Sequence, residues 1–283
     1  MNILSLGAGV QSSTVLLMSC YGVLPKLDAA IFADTQWEPK AVYDWLENVL
    51  EPQAKAAGIP LYRVTAGNIR EDALRSRMRK EEYDKIEGGR WASMPLYTQL
   101  KDKDGEGMIR RQCTKEYKIE PVQRKARDLR DAIIAANPEA AYTMNDELAR
   151  VRLWMGISAD EKRRIRMSKV YWIEHAYPLI FEFDRPWHRH DCITWLKEYG
   201  FPQAPRSACI GCPYRSNEEW RSLSPNEFQD AVAFDASIRS IGGLVASTYL
   251  HRSCKPLAMV DLSTPEERGQ QNWIHECEGM CGI

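Results

Sequence analysis

The sequence has no long apolar run, no excess of charge and no loop of the common nucleotide-binding types. No apolar stretch reaches membrane-spanning length, so we expect no association with a membrane. Lys and Arg total 38 against 39 Asp and Glu, and the net charge of −1 gives no global attraction to nucleic acid. The patterns G-x-x-x-x-G-K-[ST] and G-x-G-x-x-G are absent, which argues against a P-loop and a dinucleotide-binding fingerprint.

The amino terminus also lacks the features of an export signal. M-N-I-L-S-L-G has no basic segment followed by a long apolar stretch, and a strand is predicted to begin at Asn2. We therefore expect a cytoplasmic protein. Because disulfides are rare in the cytosol, the eight cysteines indicate metal binding or redox chemistry rather than a disulfide framework.

Strand and helix patterns alternate along the first part of the chain. The predicted strands are 2–6, 28–33, 60–64, 152–157 and an extended segment within 171–183. The predicted helices are 12–21, starting at a hydroxyl cap, 40–57, 115–136, 190–199 and most of 217–241. This rhythm predicts an α/β, Rossmann-like doubly wound fold, with a mostly parallel five-stranded sheet and helices on both faces.

The chain is predicted to comprise two parts. Residues 1–200 form the α/β domain, and residues 201–283 form a mainly helical, cysteine-bearing extension with an irregular tail. Residues 66–112 interrupt the rhythm and are polar, charged and glycine-bearing. We interpret them as an insertion at the carboxyl edge of the sheet that forms a lid, because long excursions of this kind are often functional.

A glycine-containing turn, S-L-G-A-G-V-Q-S-S, follows the first strand. Gly7 and Gly9 let backbone N–H groups approach a phosphate, and the start of the next helix adds a partial positive charge. Ser12 and Ser13 are further donors. Glycine spacing by itself is equally consistent with a tight strand-to-helix turn that binds nothing.

Three cysteines are the strongest candidates for metal ligands. Cys113 lies in R-R-Q-C-T, and Cys209 and Cys212 lie in S-A-C-I-G-C-P-Y. A C-x-x-C turn places two thiolates at one metal, and a distant cysteine closes the site. Three thiolates suit a [4Fe–4S] cluster with one open iron better than a closed four-ligand zinc site. The alternative is a tight turn without a metal. The fourth ligand stays open among Cys192, Cys277, Cys281, His190 or none.

Five segments, in chain order, resemble motifs of the N-type ATP pyrophosphatases and 3′-phosphoadenylyl-sulfate reductases. G-A-G-V-Q-S resembles the S-G-G-x-D-S phosphate loop, with Gly7 at the first serine and Gln11 at the acidic position. F-A-D-T-Q-W-E-P, C-T-K-E-Y-K-I-E-P and G-I-S-A-D-E-K-R-R resemble the D-T-G, C-x-x-x-x-K-x-x-P and G-x-R-x-x-E-S-x-x-R segments. Y-P-L, W-H-R-H-D and C-I-G-C-P resemble the late substrate and cluster region.

The resemblance implies an adenine nucleotide, ATP, as ligand. It assigns the phosphates or sulfate to Gly7, Ala8, Gly9, Val10, Gln11, Ser12 and Ser13. It implies that Asp34 faces the ribose or Mg²⁺, and that Gly156, Glu161 and Arg164 lie near the nucleotide, with Arg164 in catalysis. Trp37, in the D-T-Q-W-E turn, is a candidate for stacking on adenine.

The neutral Gln11 leaves the use of Mg²⁺ open, because glutamine is a poorer ligand for a hard cation than aspartate. Arginines near the predicted site segments can neutralise phosphate charge instead; these are Arg110, Arg111, Arg163 and Arg164. The tail, E-C-E-G-M-C-G-I, resembles the E-C-G segment that carries the nucleophile of sulfonucleotide reductases, which implies a catalytic Cys281. The alternative for the tail is a docking segment that supplies a ligand.

Three functions follow from these features. The first is an enzyme that activates a nucleobase oxygen in tRNA or DNA with ATP, releases pyrophosphate and inserts sulfur from a donor, with the polynucleotide received by 66–112 and the basic helix. The second is an adenylyl sulfate reductase that takes electrons from a donor and releases sulfite. The third is a non-catalytic nucleotide- and cluster-binding subunit, motivated by Gln11. The sequence leaves open whether the chain forms a homodimer.

Overall fold

The computed structural model describes residues 1–75, 94–100, 106–136, 150–240, 246–264 and 267. The chain divides into two compact units. The first comprises Met1–Pro95 and Arg110–Cys209, and the second comprises Leu96–Ile109 and Ile210–Ile283. None of the helices formed by the described residues combines the length and apolar character needed to cross a bilayer.

A five-stranded, all-parallel sheet forms the centre of the first unit. Its strands are β1 (Asn2–Leu6), β2 (Ala29–Asp34), β3 (Leu61–Thr65), β6 (Val151–Met155) and β7 (Ile173–Ala176). Their order across the sheet is β3-β2-β1-β6-β7, and every neighbouring pair is parallel. The predicted fold class is therefore confirmed. The winding reverses between β1 and β6, which makes this the topological switch point of the sheet.

Helices cover both faces of this sheet. They are α1 (Val10–Cys20), α2 (Lys40–Trp45), α3 (Glu51–Ala56), α4 (Ile69–Arg75), α5 (Glu120–Ala136), α6 (Pro178–Phe181) and α7 (Arg189–Glu198). Successive strand residues point to opposite faces. Leu4 accordingly belongs to the apolar cluster that contains Leu16 of α1, whereas Ile3 belongs to the cluster that contains Val122 of α5.

Two helical segments each contain a π turn directly before a Glu–Pro pair. Leu46–Leu50 connects α2 to α3, and Lys115–Ile119 leads into α5. Pro52 and Pro121 follow these turns. A proline lacks the N–H of the α-helical ladder, and its ring clashes with the carbonyl four residues earlier. We attribute the π turns to this clash, because the i→i+5 hydrogen bonds of a π turn enclose one more residue than those of an α-helix and leave room for the proline ring.

Two local predictions were wrong. Helix α1 begins at Val10 with Gly9 as its N-cap, and no side chain caps it, whereas a hydroxyl cap at Ser12 was expected. The extended segment within 171–183 ends at Ala176, and Pro178–Phe181 is a helical turn. The fixed φ of a proline suits the first turn of a helix, which explains the change at Y-P-L.

The second unit contains an antiparallel sheet in the order β5-β4-β8, which the sequence patterns did not predict. Its strands are β4 (Tyr97–Leu100), β5 (Glu106–Met108) and β8 (Ala246–Tyr249), and its helices are α8 (Asn217–Arg221) and α9 (Pro225–Ser237). The buried carboxylate of Asp235 accepts hydrogen bonds from the backbone N–H groups of Leu250 and Leu257, at 2.8 and 2.9 Å. It thereby fixes the chain after β8 to α9.

Candidate functional site

The turn Gly7–Gly9 lies at the carboxyl end of β1, beside the switch point, where open α/β sheets bind their ligands. Ala8 adopts a positive φ of 56°, a conformation in which backbone N–H groups can form an anion-binding concavity. The first N–H groups of a helix have no intrahelical partner, and no side chain caps α1. The turn can therefore bind a phosphate through its backbone.

Gly156 allows the chain after β6 to approach this turn. A Cβ on Gly156 would lie 2.6 Å from both the backbone N and the Cα of Ser12, a distance that real side chains do not tolerate. The glycine thus permits direct backbone contact across the switch point. The turns after β1 and β6, which the sequence analysis assigned to the nucleotide, lie side by side.

Gln11 is held by three groups from distant parts of the chain. Its Nε2 donates to Ser158 Oγ and to Glu161 Oε2, both at 3.4 Å. Its Oε1 accepts a hydrogen bond of 2.9 Å from the Arg189 guanidinium at the start of α7. The amide therefore links α1 to the segment after β6 and to α7, at the position where the resembled family has an aspartate.

A charged network surrounds Gln11. Arg164 forms an ion pair with Glu161, and Arg164 keeps 62% of its side chain exposed. Asp160 accepts hydrogen bonds from Arg189 N at 2.5 Å and from Ser158 Oγ at 3.0 Å, and lies 2.9 Å from His188 Nδ1. These contacts, with His188 the largest contribution, lower the pKa of Asp160 to about 2. The exposed guanidinium groups of Arg164 and Arg189 can bind an anion. Glu161 orients Arg164, and Asp160 fixes the backbone of Arg189.

Both serines of the turn serve the fold. Ser12 Oγ accepts from Gly7 N at 3.2 Å and lies 3.4 Å from Gly9 O, so it closes the turn on itself. Ser13 is fully buried, and its Oγ accepts a hydrogen bond of 2.9 Å from Trp45 Nε1. Val10 is buried as well. These contacts occupy both serine hydroxyls and the N–H of Gly7, so a phosphate would be bound by the other backbone N–H groups of the turn.

Asp34 lies at the end of β2 in a polar environment. Its Oδ1 accepts from Gln36 N at 2.7 Å and from the Tyr43 hydroxyl at 2.9 Å. Burial, with this hydrogen bond to Asp34, raises the pKa of Tyr43. Trp37 follows in the same turn and is only 5% exposed, with the guanidinium of Arg70 6.0 Å from its ring centroid.

The segment before the C-x-x-C motif joins the glycine turn to the end of β2. A Cβ on Gly9 would lie 3.4 Å from Ser207 Cβ, so Ser207 lies over the turn. Two residues later, Cys209 is buried, and its Sγ lies 3.2 Å from Thr35 Oγ1. The thiol also donates to Glu38 Oε1 at 3.7 Å. A cysteine predicted to bind a metal thus lies at the same edge of the sheet as the candidate phosphate turn.

Glu38 is a buried carboxylate beside this thiol. Its Oε1 accepts from Thr35 Oγ1 at 3.1 Å and from Lys118 Nζ at 3.3 Å. Its Oε2 is buried and has no hydrogen-bond partner within the described part of the chain. Lys118 belongs to the π turn Lys115–Ile119, which directs this cation toward the carboxyl edge of β2.

The other candidate metal ligands are placed as follows. Cys113 is half-buried just before the π turn, and Cys212 is half-buried in the second unit. Over the described residues, no three His, Cys, Asp or Glu side chains are grouped to hold a metal ion, and the six cysteines there form no disulfide. The chemistry of the donor set still suits a soft-metal cluster, since all three proposed ligands are thiols.

Of the candidates for a fourth ligand, Cys192 packs in the core beside α1, and burial raises its pKa to about 12. A thiol with so high a pKa is poorly suited to metal binding. His190 Nε2 lies 3.4 Å from Thr194 Oγ1 of its own helix. Cys277 and Cys281, including the predicted catalytic thiol, lie outside the described residues.

Four residues of the site were not predicted from the sequence: Arg189, Ser158, Ser207 and Glu38. Arg189 and Ser158 lie within the quoted motifs W-H-R-H-D and G-I-S-A-D. Residues just after a parallel strand, or at the start of a helix near the switch point, are candidates for ligand binding. Ser207 and Glu38 also lie within quoted motifs, S-A-C-I-G-C-P-Y and F-A-D-T-Q-W-E-P, but their contacts depend on how the chain returns to the sheet. Comparison of the sequence with protein-family models and with curated proteins returns no match.

Proposed function

We propose that the chain is an adenine-nucleotide-dependent enzyme that activates a nucleobase oxygen with ATP for replacement by sulfur. The observation that carries the proposal is the path of one segment: Ser207 lies over the glycine turn, and Cys209 Sγ lies 3.2 Å from Thr35 at the end of β2. A phosphate turn and a buried thiol at one sheet edge support nucleotide activation coupled to sulfur chemistry.

In the proposed reaction, the nucleobase oxygen attacks the α-phosphorus of ATP, and pyrophosphate leaves. A sulfide from a donor then attacks the activated carbon, and AMP leaves with the oxygen. The backbone N–H groups of the turn bind the phosphates, and Arg164 and Arg189 stabilise the charge that develops on them. Gln11 positions Arg189 for this contact.

Cys113, Cys209 and Cys212 are the residues that would hold a [4Fe–4S] cluster, which would supply a binding site for sulfide. The remaining steps depend on this chain's own groups. Asp160 and Glu161 orient the cations, and the turn orients the phosphates for in-line attack. Gln11 supplies no carboxylate for Mg²⁺, so the arginines carry a larger share of the charge neutralisation.

The proposal is tested by measuring which nucleotide the protein binds and which product it releases. Calorimetric titration compares ATP with adenylyl sulfate, and pyrophosphate release is measured with bulk tRNA or with DNA in the presence of sulfide. We expect ATP to bind and pyrophosphate to appear only with a nucleic acid. Tighter binding of adenylyl sulfate with release of sulfite would overturn the proposal in favour of the reductase. ATP binding without any turnover would instead support the non-catalytic subunit.

A further inference from the structure

A basic and aromatic segment leads away from the candidate site. From Lys162 to Tyr171 the sequence reads K-R-R-I-R-M-S-K-V-Y, with five cations and no acidic residue, in a chain of net charge −1. All five cations are exposed. The segment begins within the 3-10 turn Ala159–Arg164, whose Glu161 lies 3.4 Å from Gln11. Positive charge is therefore concentrated beside the proposed nucleotide site.

Two large apolar side chains of this segment face the solvent. Met167 is 93% exposed and Tyr171 is 88% exposed, more than any other exposed large apolar side chain in the described ranges. Single exposed apolar residues need no explanation. Here, however, Met167 directly follows Arg166, and Tyr171 lies two residues after Lys169, so both are set among cations. Aromatic rings that stack on bases, set among cations that contact phosphates, are how proteins bind single-stranded nucleic acids.

The segment is held in place by hydrogen bonds. Arg166 N donates to the Tyr177 hydroxyl at 2.8 Å, and that hydroxyl donates to Arg166 O at 2.6 Å. His175 Nδ1 lies 2.9 Å from the same carbonyl oxygen. The Arg166 guanidinium donates to Arg163 O at 2.6 Å. The exposed side chains therefore project from an ordered backbone, which lowers the entropic cost of binding a ligand.

The segment runs from the carboxyl ends of the strands of the central sheet to their amino ends. It leaves the carboxyl end of β6 at the nucleotide site and enters β7, a parallel strand, at its amino end just after Tyr171. A strand of four or five residues spans about 15 Å. Near the Tyr171 end, the guanidinium groups of Arg127 and Arg130 lie 5.7 and 5.3 Å from the ring centroid of Trp172. Arg127 is exposed and adds positive charge to that end, whereas Arg130 keeps only 17% of its side chain exposed and pairs with Asp131.

We propose that this surface, the basic track, binds a single-stranded polynucleotide and directs one nucleotide into the ATP site. The track consists of Lys162, Arg163, Arg164, Arg166, Lys169 and Tyr171, with Arg127. The inference deepens the proposed function and rests on it for the identity of the substrate. Charge complementarity with phosphates and the continuity of the track with Glu161 and Gln11 favour a nucleic acid over an anionic lipid surface.

The test is fluorescence anisotropy with a labelled single-stranded oligonucleotide of about 16 nucleotides, the upper end of the site sizes of OB-folds that bind single strands. We expect Tyr171→Ala to weaken binding about 5- to 100-fold, from the loss of one stacked base. A Lys162→Ala/Lys169→Ala double variant should reduce the slope of log affinity against log salt by about 1.4. Tyr21→Ala is the matched control, because Tyr21 is a 48% exposed tyrosine directly after α1 and is not part of the track.

Three outcomes contradict the track: no binding of the oligonucleotide by the wild type, wild-type affinity in both variants, or binding to phosphatidylserine vesicles in place of the oligonucleotide. ATP affinity, measured on the same samples by calorimetry, should not change in Tyr171→Ala. If the oligonucleotide binds through Tyr171 while ATP does not bind at all, the proposed function fails and the track stands. If ATP binds and turns over but the variants behave as wild type, only the track fails.

Discussion

The Arg189 guanidinium donates a hydrogen bond of 2.9 Å to the side-chain oxygen of Gln11. This contact joins the first turn of α7 to the first turn of α1, at a position where the resembled family carries an aspartate. An aspartate here would offer a ligand for Mg²⁺. The amide offers none, and it orients an arginine instead. In the proposed ATP site, the Gln11–Arg189 pair would take the place of a carboxylate with its bound Mg²⁺.

Arg189→Ala should therefore weaken ATP binding. A hydrogen bond to a charged group contributes about 1.5–3 kcal/mol, which corresponds to a loss of roughly 10- to 100-fold in affinity. Calorimetric titration measures the change. Lys197→Ala, an exposed cation near the other end of α7, is the control and should bind ATP as the wild type does. Equal ATP affinities for the two variants would show that Arg189 does not contribute to ATP binding.

Gly156→Ala should disturb both stability and ligand binding. Its Cβ would meet the backbone of Ser12 at 2.6 Å, and backbone atoms cannot move aside as a flexible side chain can. Overpacking of this kind costs about 1–3 kcal/mol. At Gly7, by contrast, the nearest atom to a new Cβ is 3.6 Å away, so Gly7→Ala should cost less. Urea unfolding of both variants is the measurement, and equal costs would contradict this account of the close approach.

The carboxylate of Asp191 should stabilise the protein in a pH-dependent manner. It accepts from His188 N at 2.7 Å at the start of α7 and pairs with Arg185. These contacts, with Arg185 the largest contribution, lower the pKa of Asp191 from 3.8 to about 2. A lowered pKa means that the stabilisation is complete above about pH 4 and is lost as the pH falls toward 2.

The pH dependence can be isolated with Asp191→Asn. The amide can still accept the hydrogen bond from His188 N, but it loses the ion pair with Arg185 and the negative charge near the helix N-terminus. Such a charge contributes about 0.3–1 kcal/mol, so the variant should unfold at lower urea concentration at pH 7. The difference from wild type should shrink at pH 3, because the carboxylate of the unfolded chain, with its ordinary pKa of 3.8, is then mostly protonated and unfolding is favoured. Asp184→Asn, at an exposed position nearby, should follow the wild type at both pH values. A difference that stays constant with pH would show that the charge of Asp191 is not responsible.

Lys118 and Glu38 should be energetically coupled. Lys118 Nζ lies 3.3 Å from Oε1 of Glu38, whose side chain is fully buried, whereas Lys118 is 36% exposed. Lys118→Met leaves the buried carboxylate without its cation and should lower the free energy of unfolding by about 1–3 kcal/mol. Solvent screening of Lys118 keeps this below the cost at a fully buried pair.

A double-mutant cycle with Glu38→Gln measures this coupling by guanidinium unfolding. Glu38→Gln/Lys118→Met should recover part of the loss, because the double variant removes both charges. Contacting residues of this kind show interaction energies of about 0.5–3 kcal/mol. Strict additivity of the two single variants would show that the ion pair contributes nothing.

Cys113→Ala and Cys209→Ala should each abolish a brown chromophore in anaerobically purified protein. Absorption and EPR spectra, with counts of iron and sulfide, are the measurements. Cys20→Ala should retain the chromophore, because Cys20 lies on α1 and burial raises its pKa to about 11, which keeps it a thiol. A colourless wild type that contains zinc would contradict the cluster.

The central sheet could be predicted from the sequence because each strand carries its own local signal. Ile3 and Leu4 are apolar on successive positions because both faces are covered, and a short apolar run between turns is typical of such strands. The antiparallel sheet of the second unit could not be predicted in this way. Thr98, on its central strand, pairs with Thr248, 150 residues further along the chain, and neither strand is apolar enough to stand out.

The same distinction applies to the site. Gly7 and Gly156 were identified because the turns after β1 and β6 belong to motifs that can be seen in the sequence. The contact of Cys209 with Thr35 and Glu38 depends on the return path of the chain over the sheet, which no local pattern encodes. The hydroxyl of Ser13 was assigned to phosphate, and only the packing of Trp45 on α1 reveals that it bonds the indole.

The contacts of Gln11 with Ser158 and Arg189 also govern when the site can form during synthesis. They join residues 147 and 178 positions apart, so the network cannot exist in a nascent chain that ends after β3. Domains generally fold as units, and such distant closures come late. In a ribosome-bound chain, the contact of Gln11 with Arg189 can thus form only once α7 has left the exit tunnel. Until then the glycine turn is formed without Arg189 beside it.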